Sequence, residues 1–305
     1  MRNGKEDILI MSKVITILLL TAALVFTASV CSAAPAKQDK KGILIASFGT
    51  SMPEAKKAID NLVNSTKKAF PDIEVRLSYT SNIIRKKIAK EQNLLIPTPM
   101  EALAEMNDDG FTHVYVMPMH IIPGEEYDDI KSLTEAAASI KGKYSFREIK
   151  LGRPFIADVP ASDRMASILM KRFEKQLADK KTSIVLMGHG TPHHIANALY
   201  SQLQLSLEKK APGRFFVGTV EAAPMIEDVI ISLKKQHAQK ILLSPLMIVA
   251  GDHANNDLAD KDDPESWYSM LKKAGFTNIS SYLVGLGEDP QMAAVFVNEI
   301  KDMMK

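Results

Sequence analysis

Leu242-Leu-Ser-Pro-Leu-Met-Ile-Val-Ala-Gly-Asp-His-Ala-Asn-Asn-Asp257 is an apolar run that ends abruptly in polar residues. Its unbroken, branched first part reads as a strand buried on both faces of a parallel sheet. After Gly251 it offers Asp252, His253, Asn255, Asn256 and Asp257. Open α/β folds bind ligands outside the carboxyl ends of their strands, so this junction is a candidate site. A polar loop capping the next helix, with Asn256 or Asp257 as N-cap, would have the same composition. The choice depends on whether other strands end in similar chemistry.

Other apolar runs lie at Gly42–Phe48, Ile73–Tyr79, His113–Ile122 and Phe146–Leu151 in the first half. Ser183–Met187, Arg214–Val220, Lys240–Val249 and Ile279–Val284 follow in the second. Segments of helical period separate them, from Met52–Ala69 through to Pro290–Met304. Strands alternating with helices specify an α/β fold with parallel sheets.

The halves also resemble each other. Ile43-Leu-Ile-Ala-Ser-Phe-Gly-Thr-Ser51 parallels Ile184-Val-Leu-Met-Gly-His-Gly-Thr-Pro192, and Pro118 with Gly124 parallels Pro245 with Gly251. A repeat on this scale predicts two similar Rossmann-like lobes, over 37–156 and 157–305. Each would have a four-stranded parallel sheet flanked by helices, facing a central cleft. The repeat reads as sequential, with a single crossing between lobes.

The copies differ at their strand ends. The second lobe places His189, Glu221 and His253 where the first has Phe48, Thr80 and Glu126. Two imidazoles and a carboxylate suit a divalent first-row metal, and three protein ligands leave coordination positions open. Gly188 and Gly190 beside His189 allow close approach to the backbone. The second lobe is therefore expected to carry a metal site. His120, inside an apolar run, reads as a satisfied core residue.

Composition removes other classes. The formal net charge is +2, and no basic run is interleaved with aromatics, so nucleic acid is not an expected partner. There is no phosphate-binding glycine loop, Rossmann fingerprint, Gly-x-Ser-x-Gly elbow or His-Glu-x-x-His, so no nucleotide cofactor is expected. Lys13, the apolar run Val14–Val30 and the small residues through Ala36 read as a cleaved signal peptide over 1–36. That reading predicts a periplasmic or otherwise exported protein, with no membrane contact after cleavage. Cys31, the only cysteine, would leave with the leader. Roughly 265 residues remain, enough for one large domain or two smaller ones.

Ser47-Phe-Gly-Thr-Ser51, Leu186-Met-Gly-His-Gly190 followed by His193-His194, Val220-Glu221 and Pro245–Ala254 resemble the anaerobic cobalt chelatases. These are sirohydrochlorin cobaltochelatases, relatives of the bacterial ferrochelatases. The resemblance runs from about Gly42 to the C-terminus. It implies two α/β lobes around a cleft and metal ligation by His189, Glu221 and His253, which would also carry catalysis. Its substrates would be Co2+, with Fe2+ as an alternative giving sirohaem, and the tetrapyrrole sirohydrochlorin. Ser47, Arg85, Arg153, His193 and His194 are candidate substrate contacts. Glu126, Asp252 and Asp257 are candidates for a metal or proton relay. The reading leaves a homo-oligomer open. A non-catalytic carrier of metal or tetrapyrrole is the alternative from another class.

Overall fold

The computed structural model describes residues 38–305; the expected leader lies outside them. The described chain is one compact unit holding two four-stranded sheets, with every pairing parallel. The first contains β1 (Lys41–Ser47), β2 (Glu74–Tyr79), β3 (His113–Pro118) and β4 (Glu148–Leu151). The second contains β5 (Thr182–Gly188), β6 (Phe215–Thr219), β7 (Lys240–Pro245) and β8 (Ile279–Ser281). Their orders are β2-β1-β3-β4 and β6-β5-β7-β8, so the repeat is one of topology as well as sequence. Equivalent bonds close the strand ends: Met119 N–H donates to Ala46 O at 2.8 Å, and Leu246 N–H to Met187 O at 2.7 Å. The chain leaves each sheet at Pro118 and Pro245, short of the full apolar runs, because proline cannot donate to a ladder.

Helices cover both sheets. In the first half these are α1 (Pro53–Ala69), α2 (Asn82–Gln92), α3 (Pro99–Asp108) and α4 (Glu125–Ser139). The crossing helix α5 (Val159–Arg172) leads into α6 (Ala198–Lys210), α7 (Ile226–Lys235), α8 (Trp267–Lys273) and α9 (Pro290–Met303). α1 buries Ala55, Ala58, Ile59, Leu62, Val63 and Thr66, a stripe at helical spacing that faces the core.

Three apolar layers result. A central one joins Ile43 and Ile45 of β1 to Ile184 and Leu186 of β5 through α1, α5, α6 and α9. Leu44 and Ala46 face α3 and α4 on the outer side of the first sheet. Val185 and Met187 face α7 and α8 on the outer side of the second. Among the described residues no helix is long and apolar enough to cross a membrane.

The expected single crossing is corrected by α9, which returns to the first half and packs on α1 and β3. Lys150 Nζ donates to Met303 O at 2.9 Å, and the Arg153 N–H to Glu299 Oε1 at 2.9 Å. The last helix thus straps the two sheets together. Its origin is buried too: Arg172 of α5 lies 3.2 Å from Asp289, the N-cap of α9, with both side chains almost inaccessible.

Candidate active site

β5 ends in the turn Gly188-His189-Gly190, and β6 is tied to that turn through backbone. Val220 N–H donates to Gly188 O and Glu221 N–H to His189 O, at 3.1 and 3.0 Å. This brings Glu221 Oε2 within 3.5 Å of His189 Nδ1. β7 delivers His253, whose ring stands edge-on to that of His189 with centroids 4.9 Å apart. Of the predicted trio, His189 contacts both others, pairing with His253 and lying beside Glu221. Among the described residues no group of three or more His, Cys, Asp or Glu side chains is already placed to hold a metal ion together. All three side chains are about two-fifths exposed, open to an incoming ion.

The hydrogen-bond partners fix the tautomers. His189 Nδ1 lies 3.1 Å from Gly190 O, a group that only accepts, so Nδ1 carries the proton. His253 Nδ1 lies 2.5 Å from Asp257 Oδ2 and likewise donates. Each imidazole then keeps its Nε2 lone pair for a metal, with the opposite nitrogen held by an acceptor, the usual outer-shell arrangement of ligating histidines. His253 precedes the π-helical turn Ala254–Leu258, and its i,i+4 spacing to Asp257 puts the two side chains on one face.

Residues not singled out in the sequence hold this site in place. Tyr200 of α6 is buried, and its hydroxyl faces the backbone N–H groups of His189 and Gly190. Burial pushes the phenol up to about 12, so it stays neutral. A Cβ at position 188 would lie 2.4 Å from the Tyr200 ring, which is why the turn begins with glycine. Gly190 has φ +94°, a left-handed conformation in which a Cβ would crowd Thr219 and the Ala222 backbone. Asn197 links the two ligand-bearing loops: Thr191 N–H donates to its Oδ1 at 3.1 Å, and its Nδ2 donates to Ala223 O. The local signal is weak, since Asn197 and Tyr200 read as ordinary residues at the start of a helix.

The first half meets the site along its own strand-end loops. A Cβ at Gly251 would lie 3.9 Å from Thr50 Oγ1, and one at Gly124 would lie 3.4 Å from Thr191 Cβ. His194 accepts Ala196 N–H through Nδ1 and donates from Nε2 to Asp128 Oδ2 at 3.1 Å. His194 is thus a strut between the halves. Glu126 is exposed at the start of α4 and accepts a 3.0 Å bond from Thr80 Oγ1.

The ladders revise one pairing of the repeat. Ser47 pairs with Tyr79 and Gly188 with Thr219, so the counterpart of Glu221 is Ser81, one residue past Thr80. Ser81 N–H donates to Phe48 O just as Glu221 N–H donates to His189 O.

Several expected substrate contacts are engaged elsewhere. Ser47 is buried, with its Oγ accepting the Gly49 N–H at 3.2 Å. Arg85 binds Ile96 O, Asn82 and Glu101, and Arg153 binds Asp158. His193 is exposed and Asp252 accepts from Asn256 at 3.0 Å. His120 corrects the reading of a satisfied core residue. Part of it reaches the surface, yet both ring nitrogens are buried without a partner, and burial pushes it down to about 4.

The family model described as cobalt chelatase (CbiK) matches residues 41–305. A sirohydrochlorin cobaltochelatase of Salmonella typhimurium is 33% identical over 262 residues, which cover 85% of this chain and 94% of the relative. The sirohydrochlorin cobaltochelatase CbiKC of Nitratidesulfovibrio vulgaris is 32% identical over 77% of this chain and 81% of its own. Among solved structures, SirB from Bacillus subtilis with Fe3+ superposes with a TM-score of 0.58 at 15% identity, covering 86% of this chain and 95% of SirB. At that identity the likeness is one of fold.

Proposed function

The chain belongs to the cobalt chelatase (CbiK) family, and on that footing we propose that it inserts Co2+ into sirohydrochlorin in the cleft between its two sheets. The observation that carries the site assignment is the His189–His253 pair with both Nδ1 protons committed, leaving both Nε2 atoms for the ion. Co2+ enters as substrate, and neutral nitrogens with one carboxylate bind it without the near-irreversible grip of thiolates. His189 and His253 hold the ion, and Glu221 is a third ligand or takes a proton. Insertion forms four metal–nitrogen bonds to the macrocycle and releases two pyrrole protons. Those protons need acceptors beside the ring, which Glu221 on one wall and Glu126 on the other supply.

Asp257 acts in this scheme by orienting His253. Asp252 lies at the mouth of the same loop and is the better placed of the two for relaying metal from solvent. Imidazole and carboxylate ligands do not separate Co2+ from Fe2+, so supply and affinity order decide between cobalt-sirohydrochlorin and sirohaem.

A leader cleaved from residues 1–36 would make the enzyme periplasmic or otherwise exported, a reading that N-terminal sequencing of the mature protein checks. A non-catalytic carrier is the second reading. Sirohydrochlorin absorbance followed with Co2+ separates the two. Metal insertion accelerated over the protein-free rate supports the chelatase; tight binding without acceleration supports the carrier.

A further inference from the structure

The repeat turned three strand ends of the second half into His189, Glu221 and His253. The equivalent positions of the first half carry no such set. The position matching His189 is Phe48, the residue just past β1, whose Ile43, Leu44, Ile45 and Ala46 are all inaccessible to solvent. Phe48 breaks that pattern at 45% exposed. Among the described residues only one other aromatic, Tyr144, is exposed, and it lies ahead of β4 at the opposite end of the strands. An exposed large apolar side chain is informative where a site has been located on other grounds.

The backbone fixes where Phe48 sits. Its carbonyl accepts Ser81 N–H at 3.3 Å, and Gly49 behind it turns with φ +98° against the Tyr79 ring. Two residues on, Thr50 meets Gly251, itself two residues before His253. The Phe48 turn and the His253 loop are therefore neighbours where the two halves meet. Met225, also exposed, comes from the loop that follows β6 and Glu221.

We infer that Phe48 is the wall on which the tetrapyrrole ring lies, with one face of the macrocycle against the phenyl group and the other toward His189 and His253. The inference rests on the chelatase reading and adds the residue that selects a flat conjugated ring. A tetrapyrrole has two large apolar faces and a carboxylate rim, and offset contact with an aromatic ring shields one face from water. Phenylalanine can neither bind the ion nor take a proton. An aromatic at the pseudo-symmetric position of His189 therefore leaves the metal on one side of the ring and gives insertion a direction. A second histidine there would capture the ion on the wrong face.

The test compares Phe48→Ala and Phe48→Trp with the wild type in sirohydrochlorin binding without metal and in steady-state Co2+ insertion. Phe48→Ala should raise the KM for sirohydrochlorin about tenfold, equivalent to ~1.4 kcal/mol, while the KM for Co2+ stays unchanged. Phe48→Trp should keep tight binding, and its emission should be quenched as the tetrapyrrole binds; the native Trp267 is buried behind β6, away from the cleft. An unchanged tetrapyrrole KM in Phe48→Ala, or an introduced indole whose emission ignores the tetrapyrrole, overturns the inference while leaving the chelatase reading intact. A wild type that binds no tetrapyrrole overturns both. A KM that rises for Co2+ alone assigns Phe48 to the metal side and overturns the inference as well.

Discussion

Asp257 Oδ2 stands 2.5 Å from His253 Nδ1, four residues on along the same helical turn. The carboxylate accepts the Nδ1 proton, which forces the lone pair onto Nε2 and fixes the plane of the ring. Asp257→Ala should lower Co2+ affinity and kcat/KM together by roughly 10–100-fold, the range for outer-shell partners of ligating histidines. Asp257→Asn should lose less, because its amide oxygen still accepts the proton. Cobalt calorimetry on both variants, paired with insertion rates, checks the order. Equal losses would show that charge, and not orientation, is what Asp257 supplies.

Gly190 tests the backbone geometry behind His189. Its φ of +94° strains any L side chain, and a Cβ would press on Thr219 Oγ1 at 2.9 Å and on the Ala222 nitrogen at 3.1 Å. Both neighbours belong to the strand end that carries Glu221. Gly190→Ala should cost about 1–3 kcal/mol of stability and a much larger share of activity, since it pushes the two ligand loops apart. Thermal melting alongside Co2+ insertion separates the effects.

Much of this was legible in the sequence, for a physical reason. Strands of a parallel sheet are apolar throughout, so a run such as Leu242–Ala250 stands out, and the polar residues at its end mark the sheet's carboxyl edge. The partnering of charged side chains was not legible. Glu101 and Glu299, which occupy the Arg85 side chain and the Arg153 backbone, sit 16 and 146 residues away along the chain. The return of α9 was hidden as well, because an amphipathic helix records that it has a buried face but not which sheet receives it. Even the repeat is ambiguous by one residue at β2 in the sequence, where only ladder register distinguishes Thr80 from Ser81.

Tyr200 should prove to be a positioning residue. Tyr200→Phe keeps the ring that packs over Gly188 but removes the hydroxyl facing the His189 and Gly190 N–H groups. Two donors left against an apolar edge cost roughly 1–3 kcal/mol each when buried. The turn should shift to regain partners. The expected result is a higher KM for Co2+ with an unaltered KM for sirohydrochlorin. A uniform loss of folded protein with normal kinetics in the remainder would reduce Tyr200 to a packing role.

His120 predicts a pH dependence of stability. Unfolded, the imidazole takes up its proton near the ordinary value of 6.5; folded, burial delays this to about 4. Between those values the unfolded chain binds more protons, so stability is full above pH 6.5 and declines as pH falls toward 4. The gap is worth about 3 kcal/mol. His120→Phe removes the titration and the two unpartnered nitrogens together. Its melting temperature should fall less than that of the wild type between pH 7 and pH 4.5. Parallel melting curves would contradict the assignment of a neutral, buried His120.

The most direct measurement is Co2+ insertion into sirohydrochlorin, followed by absorbance, in the wild type, His189→Ala and His253→Ala. Both side chains are partly exposed, so both variants should fold normally. The account predicts rapid insertion by the wild type and a loss of at least a hundredfold in each variant, about 2.7 kcal/mol of transition-state stabilisation. Insertion at the protein-free rate in the wild type, or undiminished insertion in either variant, would contradict it.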